Sequence, residues 1–265
     1  MPPLAEGDRA IVKGLRQQGV CATSLAEMGW NKPDTFLTAV DHVIEQLPPT
    51  SSVTFAGERS VNSHCVGLSA AEMLALPDIF VWGLQQRWLD LAENYLRQPV
   101  AYLGCVVRHD AANQSQVGIR LWHRDGEDYK IVKVLIYLND VDDAGGPFEY
   151  IPRQHTPSYR AFRHLKGVIK DPDMDKVVPR QQWRTCKGPR GTALLMDAAN
   201  VFHHASVPRC DRASITFAYA TATPKDKAKC ESWCPPKSIG QSTRLWTDIK
   251  AKLSPQQQVA LVGWR

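Results

Sequence analysis

Apolar positions along this chain follow two different rhythms, and the change comes near residue 100. Before it, spacing is helical. Residues 7–18 form one such segment and 33–47 another, where Pro33 stands near the start and Phe36, Val40, Val43, Ile44 and Leu47 share a stripe before Pro48-Pro49. A third helix is predicted from about Pro77-Asp78 to Leu96, with Leu84, Trp88, Leu91 and Tyr95 on a face suited to core packing. Residues 49–66 are polar and mixed and read as a loop over a site's mouth. From Val100 onward the period is two. Val100–Val107, Val117–Arg120, Lys133–Leu138, Phe148–Ile151, Thr192–Met196 and Arg212–Tyr219 read as strands. Turn chemistry separates them at Asp143-Ala144-Gly145-Gly146-Pro147 and Gly188-Pro189-Arg190-Gly191. Residues 156–187 are a long charged insertion, either a lid or binding element or a solvated excursion. Beyond Thr223 the chain is polar, with a short helix predicted near 254–262. The pattern alone predicts a β-sandwich or barrel with helical additions, in one domain. Its parts are a mainly helical 1–99, a strand core 100–222 carrying the insertion, and an extension 223–265.

Composition narrows this only a little. With 43% apolar and 22% charged residues among 265, the chain can close a sizeable core. The net charge of +5 is spread out without a Lys/Arg block, which favours anionic small molecules slightly and gives no reason to expect nucleic acid. Seven cysteines, odd in number and irregularly spaced, suggest free thiols in a reducing compartment. Cys230-x-x-x-Cys234 lacks a second ligand pair for zinc. The first residues carry neither a basic nor an apolar leader segment, and no stretch is long enough to span a membrane, so a cytoplasmic protein is expected.

The candidate chemistry sits where strands end. His123 and Asp125, in Leu121-Trp122-His123-Arg124-Asp125, are two residues apart at the end of a predicted strand, a spacing that aims both side chains to one side. Seventy-eight residues beyond Asp125 stands His203, followed at once by His204. Two histidines and one carboxylate suit a facial triad that holds Fe(II) and leaves positions open, whereas zinc prefers a closed tetrahedral shell. Neighbours on a strand face opposite ways, so only one of His203 and His204 can join. Arg212 offers a planar fork that can pair with a carboxylate, and Ser214 lies on the same strand face. Lys133, Arg108 and Arg120 lie on strands expected to flank the pocket, where they could touch an anion. Asp110 and Asp128 read as turn residues, and Glu127 as a partner for Arg124. There is no Gly-rich phosphate cradle and no nucleophile elbow.

In order along residues 100–222, Trp-His-x-Asp, Lys-Val-Leu-Ile-Tyr-Leu-Asn-Asp-Val, Gly-Pro-Phe-Glu-Tyr-Ile-Pro-x-x-His, Gly-Thr-Ala-Leu-Leu-Met-Asp, Phe-His and Arg-x-Ser resemble the phytanoyl-CoA dioxygenase-like branch of the Fe(II)- and 2-oxoglutarate-dependent oxygenases. Arg153-Gln154 departs from the Gly-Ser usual before the histidine at 155. The resemblance implies a mainly β protein with flanking α, a double-stranded β-helix (jelly roll, cupin-like) supported by N-terminal helices. It implies His123, Asp125 and His203 as metal ligands, His203 being favoured by the preceding Phe202 and by Arg212 nine residues on. It further implies Arg212 and Ser214 as the anchor for the distal carboxylate of 2-oxoglutarate, with Tyr129 and Lys133 near the cosubstrate. Arg108 and Arg120 would then meet the substrate, a small and anionic molecule. The implied activity is oxidation of a C–H bond, most simply hydroxylation, using O2 and converting 2-oxoglutarate to succinate and carbon dioxide. Asp125 stands where the superfamily's halogenases carry a small residue, which counts against chlorination. Two other readings stay open: a cupin-like metal-binding module without oxygen chemistry, and an oxygenase acting on nucleic acid or protein.

Overall fold

The computed structural model describes residues 1–30, 33–53, 64–113, 115–165, 168–233 and 250–262. Nine strands among these form two sheets: β1 Val20–Ser24, β2 Cys65–Leu68, β3 Val100–Asp110, β4 Val132–Tyr137, β5 Phe148–Tyr150, β6 Arg184–Cys186, β7 Thr192–Asp197, β8 His203–Ala205 and β9 Arg212–Thr221. The larger sheet has the order β1-β7-β4-β9-β3-β2 and the smaller β6-β5-β8, with every pairing antiparallel. The fold is the expected jelly roll, mainly β with flanking helices.

Alternation gives the large sheet two unlike faces. Cys105, Val107, Val134, Ile136, Ala193, Leu195, Ile215 and Phe217 point outward into a core shared with α1 Glu6–Gln18, α2 Pro33–Glu45, α3 Pro77–Phe80, α4 Gln86–Leu96 and α7 Pro255–Val262. Ala101, Leu103, Leu194, Met196, Ala218 and Ala220 point inward and meet Phe148, Tyr150 and Cys186 of the small sheet. Tyr137 ties the two sheets together, its hydroxyl donating to the Cys186 carbonyl at 2.8 Å and accepting from the Phe148 amide at 2.9 Å.

One irregularity in β3 decides what faces inward. Tyr102 lies opposite Tyr219 but Gly104 lies opposite Ala218, so Leu103 is an extra residue, a β-bulge. Gly104 has φ +109°, a conformation L side chains rarely adopt, and a Cβ there would lie 2.9 Å from Ala70 Cβ. Because side-chain direction alternates, one extra residue exchanges the two faces for the rest of the strand. Val106, Arg108 and Asp110 thereby point into the molecule beside Thr216, Ser214 and Arg212.

Three expectations need correction. The two chain segments before residue 100 that join the large sheet, β1 and β2, carry no strong alternation and were not foreseen. The single helix predicted over 77–96 is split: α3 ends at Phe80, a tight turn spans Val81–Leu84, and α4 follows. The buried hydroxyls of Tyr102 and Tyr219 take the carbonyls of Phe80 and Gly83 at 2.7 Å each, which draws the backbone out of helical register. Residues 118–120 form a 3-10 turn instead of a strand, and His123 makes a lone antiparallel bridge with His203. The predicted loop over the mouth falls partly outside the described residues, at 54–63. Among the described residues no helix is long and apolar enough to cross a membrane.

Candidate active site

Between the sheets lies a cavity of about 780 Å³ whose lining includes His123, Asp125 and His203. A ligand atom from each of these three falls within 4.8 Å of the others. The His123–His203 bridge brings the two imidazoles together, with ring centroids 4.4 Å apart, and the Asp125 amide bonds the Ala198 carbonyl at 2.9 Å. His123 Nδ1 lies 2.7 Å from the Leu121 carbonyl and His203 Nδ1 lies 3.1 Å from the Val201 carbonyl. A carbonyl only accepts, so both Nδ1 atoms carry the proton and both Nε2 lone pairs are free, the state a metal requires. Burial lowers the basicity of both rings, that of His203 to about 3, so they are neutral at physiological pH. Burial also favours protonation of Asp125, but the Lys133 ammonium outweighs it and holds the carboxyl well below its usual range. Two neutral imidazoles and one carboxylate on one side of a cavity fit a divalent metal with open positions.

The adjacent histidine is excluded. His204 points away from the cavity centre, stacked on Trp122 at 3.9 Å, and its ring nitrogens lie 2.9 Å from the Arg120 carbonyl and 3.0 Å from Glu149 Oε2. Neither nitrogen is free for a metal.

Lys133 is buried at the metal end of the cavity. Its Nζ lies 2.5 Å from Asp125 Oδ2 and 3.2 Å from Glu127 Oε1, and 4.4 Å above the Trp233 ring. Those two carboxylates keep it protonated against its burial. Glu127 therefore pairs with Lys133 and not, as the sequence suggested, with Arg124. Trp233 completes the cluster by donating Nε1–H to Glu127 Oε1 at 2.8 Å. Trp233 ends α6, Lys227–Trp233, and lines the cavity with Ser232, which the polar run around it gave no reason to expect.

At the other end Arg212 and Ser214 face the cavity from β9. Arg212 is only 2% exposed; its Nε and Nη2 donate to Asp110 Oδ2 at 3.1 and 2.7 Å, and Nη1 donates to the Gly146 carbonyl. Asp110 is thus no turn residue but the buried counter-ion of this arginine. Arg108, directly across from Ser214, also lines the cavity. No acceptor for its guanidinium is found among the described residues.

Two expected contacts are not brought to the site. Arg120 is fully buried and does not line the cavity; its guanidinium donates to Asn113 Oδ1 and to the carbonyls of Ser115, Ala111 and His64, stapling the loop after β3. Tyr129 is 75% exposed, with Lys225 Nζ 5.4 Å from its ring, and lies off the cavity. The exposed end of a loop, not a strand, carries it. The charged insertion is also resolved. Its described residues supply no cavity wall, but Phe162, Ile169, Met174, Val178 and Trp183 pack with Trp122, Ile151 and Phe202 in a separate apolar cluster behind the ligand-bearing segments. The insertion is neither lid nor solvated excursion; it buttresses Trp122, whose Nε1–H bonds Asp171 Oδ1 at 2.9 Å.

No family model matches the chain, and no curated protein matches it in sequence. Solved structures do match. The non-heme alpha ketoglutarate dependent epimerase SnoN from nogalamycin biosynthesis superposes with a TM-score of 0.58 at 14% identity, covering 87% of this chain and 91% of SnoN. The non-heme alpha ketoglutarate dependent carbocyclase SnoK, from the same biosynthesis, gives 0.57 at 16% identity over 96% and 92%. HygX from Streptomyces hygroscopicus, with nickel and 2-oxoglutarate bound, gives 0.56 at 16% identity over 83% and 88%. At such identities the likeness establishes a shared fold.

Proposed function

We propose that the chain is an Fe(II)- and 2-oxoglutarate-dependent oxygenase of the phytanoyl-CoA dioxygenase-like kind, acting on a small molecule. One observation carries this reading: two free imidazole nitrogens and a partly buried carboxylate converge at one end of a cavity whose other end holds a guanidinium and a hydroxyl on one strand. His123 Nε2, His203 Nε2 and Asp125 would hold the iron; Arg212 and Ser214 would take the distal carboxylate of 2-oxoglutarate. Bound iron and cosubstrate, with O2, supply the oxidant for a C–H bond while 2-oxoglutarate becomes succinate and carbon dioxide. The chain's own residues do the placing. Lys133 keeps Asp125 ionised, and the Leu121 and Val201 carbonyls fix the ligand tautomers.

Arg108 points to the substrate. A guanidinium lining the cavity, with no acceptor among the described residues, favours an anionic group there, so a small molecule bearing a carboxylate, phosphate or sulfate is the preferred class. Hydroxylation is the simplest outcome; the epimerase SnoN and the carbocyclase SnoK make epimerisation and ring closure its rivals on this fold. Their origin in nogalamycin biosynthesis favours tailoring of a natural product. Among the described residues Cys21, Cys65, Cys186, Cys210 and Cys230 are in no disulfide, which favours a reducing, cytoplasmic setting.

The test is anaerobic. Fe(II) and then 2-oxoglutarate are added to metal-free protein, and the weak visible metal-to-ligand charge-transfer band is sought. Its appearance, and its loss in Asp125→Ala and Arg212→Ala, is the expected result. Iron binding without a band would replace the oxygenase reading with that of a metal-binding module.

A further inference from the structure

Behind Arg212 lies a second buried polar group that the proposed chemistry does not touch. His64, just before β2, and Asp110, at the end of β3, are both fully buried. Asp110 uses Oδ2 for Arg212 and turns Oδ1 toward His64 Nε2, 3.2 Å away. That contact is close but poorly aligned, and neither atom has another hydrogen-bond partner among the described residues. The backbone of His64 is pinned, because its carbonyl accepts from the Ala111 amide at 2.9 Å and from Arg120 at 3.3 Å. His64, Cys65 and Asp110 come near enough to hold a metal ion, but the Arg212 guanidinium already occupies the carboxylate, so a cation is disfavoured there. Burial, with Arg120 and Arg108 nearby, keeps the His64 ring neutral. A neutral ring with its proton on Nε2 would be a donor 3.2 Å from Asp110 Oδ1.

We infer that His64 and Asp110 are positioning residues that aim Arg212, and that together they set the affinity for the distal carboxylate of the cosubstrate without touching it. The inference rests on the reading of Arg212 as the anchor. Arg212 has five N–H donors, and Asp110 and Gly146 take three, leaving two for an incoming carboxylate. A guanidinium holds a bidentate pose only if its plane is fixed, and here the plane is fixed by Asp110, which His64 in turn orients. A small rotation of the Asp110 carboxylate would align its contact with His64, so a carboxylate arriving on Arg212 would meet a chain of groups ready to tighten.

The experiment compares two oxo acids on the iron-loaded, oxygen-free protein. 2-Oxoglutarate and pyruvate chelate iron through the same end, but pyruvate lacks the distal carboxylate. Dissociation constants for both are read from the charge-transfer band. In Asp110→Ala the preference for 2-oxoglutarate over pyruvate should fall about tenfold or more, the worth of a charge-assisted hydrogen bond. His64→Leu should lower it about threefold, and Asp110→Asn, which keeps an acceptor, should fall between Asp110→Ala and the unaltered protein. A preference unchanged in folded Asp110→Ala, or both oxo acids weakened equally, overturns the inference. Should Asp110→Ala fail to fold, His64→Leu decides the matter by the same ratio. Absence of a band with either oxo acid in the unaltered protein instead defeats the oxygenase reading, and equal binding of the two defeats the anchor; either takes this inference with it.

Discussion

The two faces of the large sheet are made by the same strands yet do opposite things. On β9, Ala213, Ile215, Phe217 and Tyr219 pack outward against helices, while Arg212, Ser214 and Thr216 turn inward to the cavity. Both sets are buried. The outward set is apolar, or in Tyr219 has its hydroxyl satisfied by the Gly83 carbonyl, so burial there is favourable throughout. The inward set carries charges that burial penalises, and each is kept by a named partner: Arg212 by Asp110, Lys133 by Asp125 and Glu127. For Arg108 no such partner is found among the described residues. One face holds the fold, and the other presents charged groups to the cavity.

Four substitutions or titrations would break that division, or sharpen it. The largest effect belongs to Asp125→Ala. It removes a candidate ligand, so iron-dependent succinate release should fall by more than the roughly 10- to 100-fold that even outer partners of a metal are worth. Lys133 keeps Glu127, and far-ultraviolet circular dichroism should remain that of the folded chain. Unaltered succinate release would show that the inward carboxylate is structural.

Phe217→Ala tests the other face. The ring is fully buried against Trp82 at 5.3 Å and Phe36 at 6.1 Å. Its loss should cost about 3–5 kcal/mol in urea unfolding, through lost transfer energy and the remaining cavity. The affinity of the folded fraction for iron should stay the same. A variant that unfolds easily and also binds iron poorly would mean that the faces are coupled.

How far each face was legible follows from the same division. The outward face and most strands announce themselves through alternation, and the order Trp-His-x-Asp, Phe-His, Arg-x-Ser points to His123, Asp125, His203, Arg212 and Ser214, which all line one cavity. What was missed depends on geometry that residue types do not encode. Asp110 looked like a turn residue because the bulge at Gly104 exchanges the faces of β3. Trp233 comes from a polar stretch that folds back over the site, and Glu127 finds Lys133 through the turn into β4. Arg120 was misplaced because its segment is a 3-10 turn, so strand alternation does not apply. Gly104 and the Gly83 break offered a signal, since an isolated glycine in a strand or helix pattern often marks a bulge or an interruption.

Acid should separate the faces next, because three histidines of lowered basicity lie on the inward side or beside it. In metal-free protein, burial depresses the basicity of His64, His123 and His203. Above about pH 6.5 these rings are neutral folded or unfolded and add no pH dependence. Below it the unfolded chain binds protons that the folded one resists, so stability falls by up to about 1.4 kcal/mol per pH unit for each ring. Below about pH 4, Asp110 and Asp125 add to the loss, since both are held ionised in the fold and must be protonated. Urea midpoints at pH 7, 6 and 5 measure the slope, and His64→Leu should flatten it. An unchanged slope would mean that His64 already carries a proton in the fold.

The smallest effect is expected at Tyr129, on neither face. Six residues after His123, it stands where the family resemblance sets an aromatic against the cosubstrate, yet its side chain is 75% exposed beside Lys225. Its hydrogen bonds among the described residues come from the backbone: the amide bonds Asp128 Oδ1 at 2.7 Å, and the carbonyl accepts from Asn200 at 2.7 Å. Tyr129→Ala keeps both backbone contacts, so stability should move by no more than about 0.5 kcal/mol and the affinity for 2-oxoglutarate should not move. The charge-transfer titration that tests Arg212 measures it directly. A clear loss of affinity would mean that this loop swings inward when the cosubstrate arrives, and that the site is completed from outside the sheet as well as from its inward face.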